Sequence, residues 1–115
     1  MPRELDHFIL CIYAFSVNGR TIWDERKRLA NLAKHGLDFA DVGEVLESRF
    51  RLDTPVLRAG EWRMLSISYS LRFLAVLVVV HMHRGRGVRI ISFRPASTRE
   101  RETYEHWLEN ECDEP

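Results

Sequence analysis

The chain has 115 residues, 45% apolar and 30% charged, enough for one domain with a modest core. No run approaches the roughly 20 apolar residues of a membrane span, and the two cysteines, Cys11 and Cys112, have no metal-site spacing, so reduced thiols and a cytoplasmic location are expected. Seventeen Lys and Arg and 17 Asp and Glu side chains cancel, but the acids crowd the end: residues 105–115 hold Glu105, Glu109, Glu111, Asp113 and Glu114 and no Lys or Arg. Residues 1–104 therefore carry 17 basic against 12 acidic groups. Only Lys27 and Lys34 among the basic residues are lysines. Arginine's planar fork binds phosphate through two parallel hydrogen bonds, so the excess leans toward a nucleic-acid partner, a GC-rich genome being the plainer explanation.

In chain order, residues 1–20 read as an N-terminal extension: an apolar stretch from His7 to Phe15, cut off by the turn signal Asn18-Gly19. It has neither the basic flank nor the cleavage site of a secretory signal. Asp24 is a candidate helix N-cap, Leu29, Leu32 and Ala33 an apolar helix face, Lys34 and His35 the last turn, and Gly36 the stop. Asp38 caps a second predicted helix with Phe39, Val42, Val45 and Leu46 at helical spacing, which would make a short antiparallel helix pair. The period then changes to two. Residues 49–53 predict an edge strand that Pro55 ends, Arg58-Ala59-Gly60 a turn, and residues 61–69 a strand with Glu61, Arg63, Leu65, Ile67 and Tyr69 on one face. Residues 73–80 predict a central strand covered on both faces, and Arg84-Gly85-Arg86-Gly87 a hairpin loop. In the next strand Val88, Ile90 and Ser92 alternate with Arg89, Ile91 and Phe93, which places Arg94 on the Val88/Ile90 face before Pro95 closes the strand. Ser97 with Glu100 forms a capping box for a last helix, whose apolar stripe is Tyr104, Trp107 and Leu108. The expected class is α+β: an antiparallel sheet of about four strands, two N-terminal helices and one C-terminal helix, followed by an acidic tail at residues 111–115.

Arg94, fixed at a strand end beside a helix N-terminus, is suited to holding a phosphate. Arg63 on the neighbouring strand pattern is the candidate second clamp. Glu61, two residues earlier on the same face, is either a base or the partner that orients Arg63. His81 titrates near neutrality and is a candidate for proton transfer or a structural strand-end histidine. His81-x-His83 lacks a third ligand in register, so no metal is expected. Arg99 and Arg101 solvate the last helix.

The string Trp23-Asp24-Glu25, Lys27, Asn31, Lys34-His35-Gly36 and Phe39, then Gly60-Glu61-x-Arg63, Val78 to His81, and Arg89-Ile90-Ile91-Ser92-x-Arg94-x-Ala96 with Arg99-Glu100-Arg101 closely resembles the BrnT toxins over about residues 21–104. The departures are the first twenty residues, which have no counterpart, Ser68, where family members usually carry glycine, Leu71-Arg72-Phe73 in place of a polar turn, and Phe93 and Pro95, where a small residue and a lysine are usual. The resemblance implies a RelE-like fold and the toxin of a bacterial type II toxin–antitoxin module. It also implies metal-independent RNA cleavage that inhibits translation, with no cofactor. The implied partners are a BrnA-like antitoxin and RNA, with operator DNA reached only through the antitoxin. In that setting Arg63, Arg94, Glu61 and His81 are the candidate catalytic residues, and Lys34, His35 and Arg99 the candidate RNA contacts. The competing class is a non-catalytic module that only receives the antitoxin.

Overall fold

The computed structural model describes residues 21–110, so the expectations for residues 1–20 and 111–115 lie outside the described residues. Element order is β1 (Thr21–Ile22), α1 (Glu25–His35), a 3-10 turn (Phe39–Asp41), α2 (Gly43–Leu46), β2 (Leu52–Arg58), β3 (Glu61–Ser70), β4 (Ala75–Arg84), β5 (Gly87–Pro95) and α3 (Thr98–Asn110). The strands form one sheet in the order β1-β5-β4-β3-β2. The α+β class stands, but the sheet has five strands and is mixed, because β1 pairs in parallel with Val88 and Arg89 of β5. A two-residue strand carries too little pattern to be read from sequence. The second predicted helix is also reduced, to a 3-10 turn and a four-residue helix. Phe39, Val42 and Val45 are buried all the same, so the apolar spacing was meaningful although the hydrogen-bond ladder is broken.

Local signals explain most boundaries. The Asp24 carboxylate accepts from Arg26 N–H at 2.9 Å, and Gly36 closes α1 in the left-handed region at φ 72°. β2 begins at Leu52 and runs through Pro55 to Arg58. Proline is tolerated because β2 is the sheet's edge, where the absent N–H costs no ladder bond. The β2–β3 turn places Ala59 at φ 51° and Gly60 at φ 80°, the two left-handed residues of a tight hairpin. Ser97 and Glu100 bond reciprocally as a capping box, at 2.8 and 3.1 Å.

Two apolar layers cover the sheet. On one face Trp23, Leu37, Phe39, Val42 and Val45 pack on Leu77, Val79, Ile90 and Phe93. On the other Tyr104, with Trp107 and Leu108 of α3, packs on Ile67 and Val78. Each large apolar side chain so buried stabilises the fold by roughly 1.5–3 kcal/mol. The Tyr104 hydroxyl donates to Phe50 C=O at 2.7 Å and accepts from Tyr69 N–H, tying α3 to β3 and to the turn that precedes β2. Ser66, Ser68 and Ser70 of β3 are buried beneath α2 and bond to Asp53, Ser48 and Glu44. Small side chains there let α2 approach the sheet, and the Ser68 hydroxyl has its own partner in Ser48.

The expected apolar face of α1 is not the buried one. Leu29 is 51% exposed and Ala33 is exposed, whereas Asn31 is buried. β1 covers only the first part of β5 and leaves the backbone of Phe93 open. Asn31 fills that gap: its carbonyl accepts from Phe93 N–H at 3.2 Å, and its amide donates to Phe93 C=O at 2.7 Å and Leu37 C=O at 3.0 Å. One side chain thus completes the sheet edge, which otherwise would hold unpaired backbone groups.

Candidate functional site

The β4–β5 register contains a bulge. Val80 faces Ser92 but His81 faces Ile90, so Ile91 is the extra residue. The strict alternation expected for β5 therefore fails at its middle. Ile90 and Phe93 point into the layer beneath α2, and Ser92 and Arg94 point to the α3 face. Arg94 thus lies on the face opposite Val88 and Ile90, contrary to the sequence pattern.

This shift puts Arg94 on the same side as Arg63. Val56, Arg58, Arg63, Leu65, Val80, Ile91, Ser92 and Arg94 line one groove of about 340 Å³. Arg94 pairs in register with Val78, which faces Ile67, four residues along β3 from Arg63. Strand geometry then separates the two α-carbons by roughly 16 Å, so the guanidinium groups enter the groove from opposite corners.

Each arginine is held by a carboxylate. Arg94 gives Nη1–H and Nη2–H to Glu100 at 2.8 and 3.0 Å and a further Nη1–H to Pro95 C=O at 3.3 Å. The Arg94 bonds pull the Glu100 carboxyl down to about 2, and the same pairing raises Arg94 further above its usual range. Of the five N–H donors of a guanidinium, the Nε–H and one Nη2–H are left over, and they form a second, side-on fork. Glu61, which is exposed, accepts from Arg63 Nη2 at 3.3 Å, the orienting role of the two considered for it. Arg63 Nε is buried with no hydrogen-bond partner.

Lys34 and His35 reach the same end of the sheet from the side, since Asn31 docks α1 on Phe93, the neighbour of Arg94. His35 is driven below its ordinary value by burial first, then by the charges of Lys34 and Arg94. Lys34 is exposed at the helix end, and Arg99 is exposed in the first turn of α3, outside the groove lining.

His81 is elsewhere. It is 5% exposed and lies on the α2 face, where its Nε2 meets Ser66 Oγ at 2.8 Å. The sheet separates it from Arg94, whereas Arg63 borders both faces. His81 lines a second cavity of about 580 Å³ with Arg51, Asp53, Trp62, Met64 and His83. Among the described residues no group of three or more His, Cys, Asp or Glu is placed to hold a metal. Alternation alone assigned Arg63 its face correctly but could not reveal the bulge.

Sequence reading also passed over a basic rim. The β2–β3 and β4–β5 hairpins lie at one end of the sheet, since Met64 pairs with His81 and Arg84 with Gly87. Arg58, Arg84, Arg86 and Arg89 gather there, and none of them forms an ion pair among the described residues. The clustering of arginines around two glycine turns was the available signal.

No described helix is long and apolar enough to cross a membrane. No curated protein matches the chain. The model of the family described as "Ribonuclease toxin, BrnT, of type II toxin-antitoxin system" matches residues 23–100, which include α1, the whole of β2 to β5, both groove arginines and Glu100. The chain therefore belongs to the BrnT family of type II toxin–antitoxin ribonuclease toxins.

Proposed function

We propose that the chain is a metal-independent endoribonuclease that inhibits translation, that it is neutralised by a BrnA-like antitoxin, and that it cuts RNA in the groove between Arg63 and Arg94. The observation that supports this is that both arginines line one groove and each keeps an N–H without a partner: the side-on edge of Arg94 and the buried Nε of Arg63. Unpaired guanidinium donors that border a groove stabilise an anion there, and most of all one that gains charge as it reacts. A phosphodiester lying between the two corners takes one fork from each end. Glu100 and Glu61 hold those forks in place without consuming them.

In RNA cleavage without a metal the ribose 2′ oxygen attacks phosphorus, a base removes its proton, and the bond to the 5′ oxygen breaks as an acid supplies a proton. His35 is a second candidate for the base beside His81, because burial and then the nearby charges of Lys34 and Arg94 lower its proton affinity. Lys34 and Arg99 add positive potential at the margins, and the rim of Arg58, Arg84, Arg86 and Arg89 extends the phosphate track beyond the groove. The RelE-like architecture, the cytoplasmic site of action, a bacterial host and operator binding through the antitoxin complete the reading.

The test is induction in a bacterial host together with cleavage of RNA in EDTA. Wild type should arrest growth and cut RNA in the chelator, and Arg94→Ala and Arg63→Ala should each lose about a hundredfold or more in cleavage rate while remaining folded. A wild type that binds the antitoxin but neither arrests growth nor cuts RNA would show the groove to be a docking surface only.

A further inference from the structure

The 580 Å³ cavity on the α2 face has no role in the chemistry above, yet one of its lining residues, His81, has an unpaired ring nitrogen. Ser66 Oγ has a single proton, and it is given to Asp53 Oδ1 at 2.6 Å. His81 Nε2, 2.8 Å from the same oxygen, must then be the donor in its bond. Nδ1 is left with a bare lone pair, and that atom is buried and has no partner. The tautomer is fixed by the chain from His81 through Ser66 to Asp53, whose carboxylate is in turn held by Arg51 at 2.7 Å. The result is a buried, unpaired acceptor in the wall of the cavity, which a small shift of the ring would offer to an entering N–H or O–H.

The other walls narrow the choice. Trp62, 65% exposed, lies at the cavity with Met64, Pro55 and Val88, a flat apolar platform open to a ring. The volume lies within the roughly 300–1,000 Å³ typical of small-ligand sites. Arg63 lines both this cavity and the groove on the opposite face, and the arginine rim runs around the sheet end that joins them. A strand held by its phosphates along that rim would carry a base to the cavity mouth. We infer that the cavity is a nucleobase pocket, in which an unstacked RNA base lies against Trp62 and donates an N–H to His81 Nδ1. Single-stranded RNA is commonly read in this way, by aromatic stacking and bonds to base edges. The inference rests on the ribonuclease reading for its choice of ligand, but the pocket itself needs no catalysis.

The probe is a short 2′-O-methyl oligoribonucleotide, which lacks the attacking hydroxyl, compared with the same backbone stripped of its bases. Binding to the full chain is followed by the ¹⁵N signal of His81 Nδ1. The base-bearing strand should move that signal, and the abasic strand should bind through its phosphates without moving it. Trp62→Ala, at an exposed position that leaves the fold intact, should weaken the base-bearing strand about tenfold or more and leave the abasic strand unchanged. If both strands bind equally and His81 does not respond, the pocket is wrong and the ribonuclease reading survives. If neither strand binds, both fall. A His81 signal that moves only on addition of a protein partner would mark the cavity as a protein-docking site and overturn the proposal.

Discussion

Glu100→Gln isolates the charge that holds Arg94. Glutamine still accepts from Ser97 N–H, so the capping box is kept, but the carboxylate that takes both Nη groups is gone. The carboxyl stands at about 2 in the folded protein against an ordinary 4.5, with the Arg94 hydrogen bonds as the largest cause. At about 1.4 kcal/mol per tenfold change in proton affinity, that difference sets a ceiling of about 3 kcal/mol. The Glu100 side chain is 22% exposed, so water and salt reduce the figure, and about 2 kcal/mol is expected. A carboxylate whose folded pKa is depressed contributes fully above the unfolded value and loses its contribution as pH falls through the folded one. Urea midpoints should therefore put the variant about 2 kcal/mol below wild type at pH 7 and pH 5. The gap should narrow below about pH 4.5 and nearly close at pH 2. A gap that is absent at pH 7, or that keeps its full size at pH 2, would refute the assignment of Glu100 as the ionised anchor of Arg94.

His81 acts in a higher window. Burial, then the charge of Arg51, lowers it to about 4 from an ordinary 6.5, so the unfolded chain takes up the proton first; stability should fall by roughly 2 kcal/mol between pH 6.5 and 4, and His81→Gln should lack that slope in a urea series. Asn31→Ala strips three hydrogen bonds from the β5 edge and should cost about 3 kcal/mol in chemical denaturation, with faster amide exchange at Phe93. Tyr104→Phe leaves Phe50 C=O and Tyr69 N–H unsatisfied beneath α3 and should cost about 1–3 kcal/mol, measured the same way.

Signals that need only a few adjacent residues were readable. Asp24 and Gly36 bound α1, Ser97 with Glu100 begins α3, and Gly60 and Gly85 mark the hairpins because each motif satisfies or frees the backbone locally. What escaped depends on partners distant in sequence. Pro55 reads as a terminator only if the strand is interior, and its edge position is decided by the order of the sheet. Leu29 and Ala33 read as a buried stripe, but α1 docks through Asn31 on the backbone of a residue 62 positions away. A polar side chain that replaces a missing strand leaves no periodic trace.

The bulge at Ile91 governs how much of the site could be read. With a regular strand, Val88, Ile90, Ser92 and Arg94 would share a face, which would bring Arg94 against Phe39 and Val45 and turn Phe93 out of that core. One extra residue resolves the conflict: Ile90 and Phe93 both reach the core, and Ser92 and Arg94 both reach the groove. The apolar residues of β5 and the polar residues that line the groove are out of phase by one position, and the bulge is the means by which one strand places both. The same step fixes His81 opposite Ile90, on the far face from Arg94. The arginine groove and the histidine cavity are separated by the alternation of β4, since Arg94 pairs with Val78 and His81 stands three positions further along that strand. Deleting Ile91 would restore the alternation and bring Arg94 to the α2 side; unfolding, or loss of cleavage with the core intact, is the expected result, and a folded deletion variant that still cuts RNA would refute the role given to the bulge.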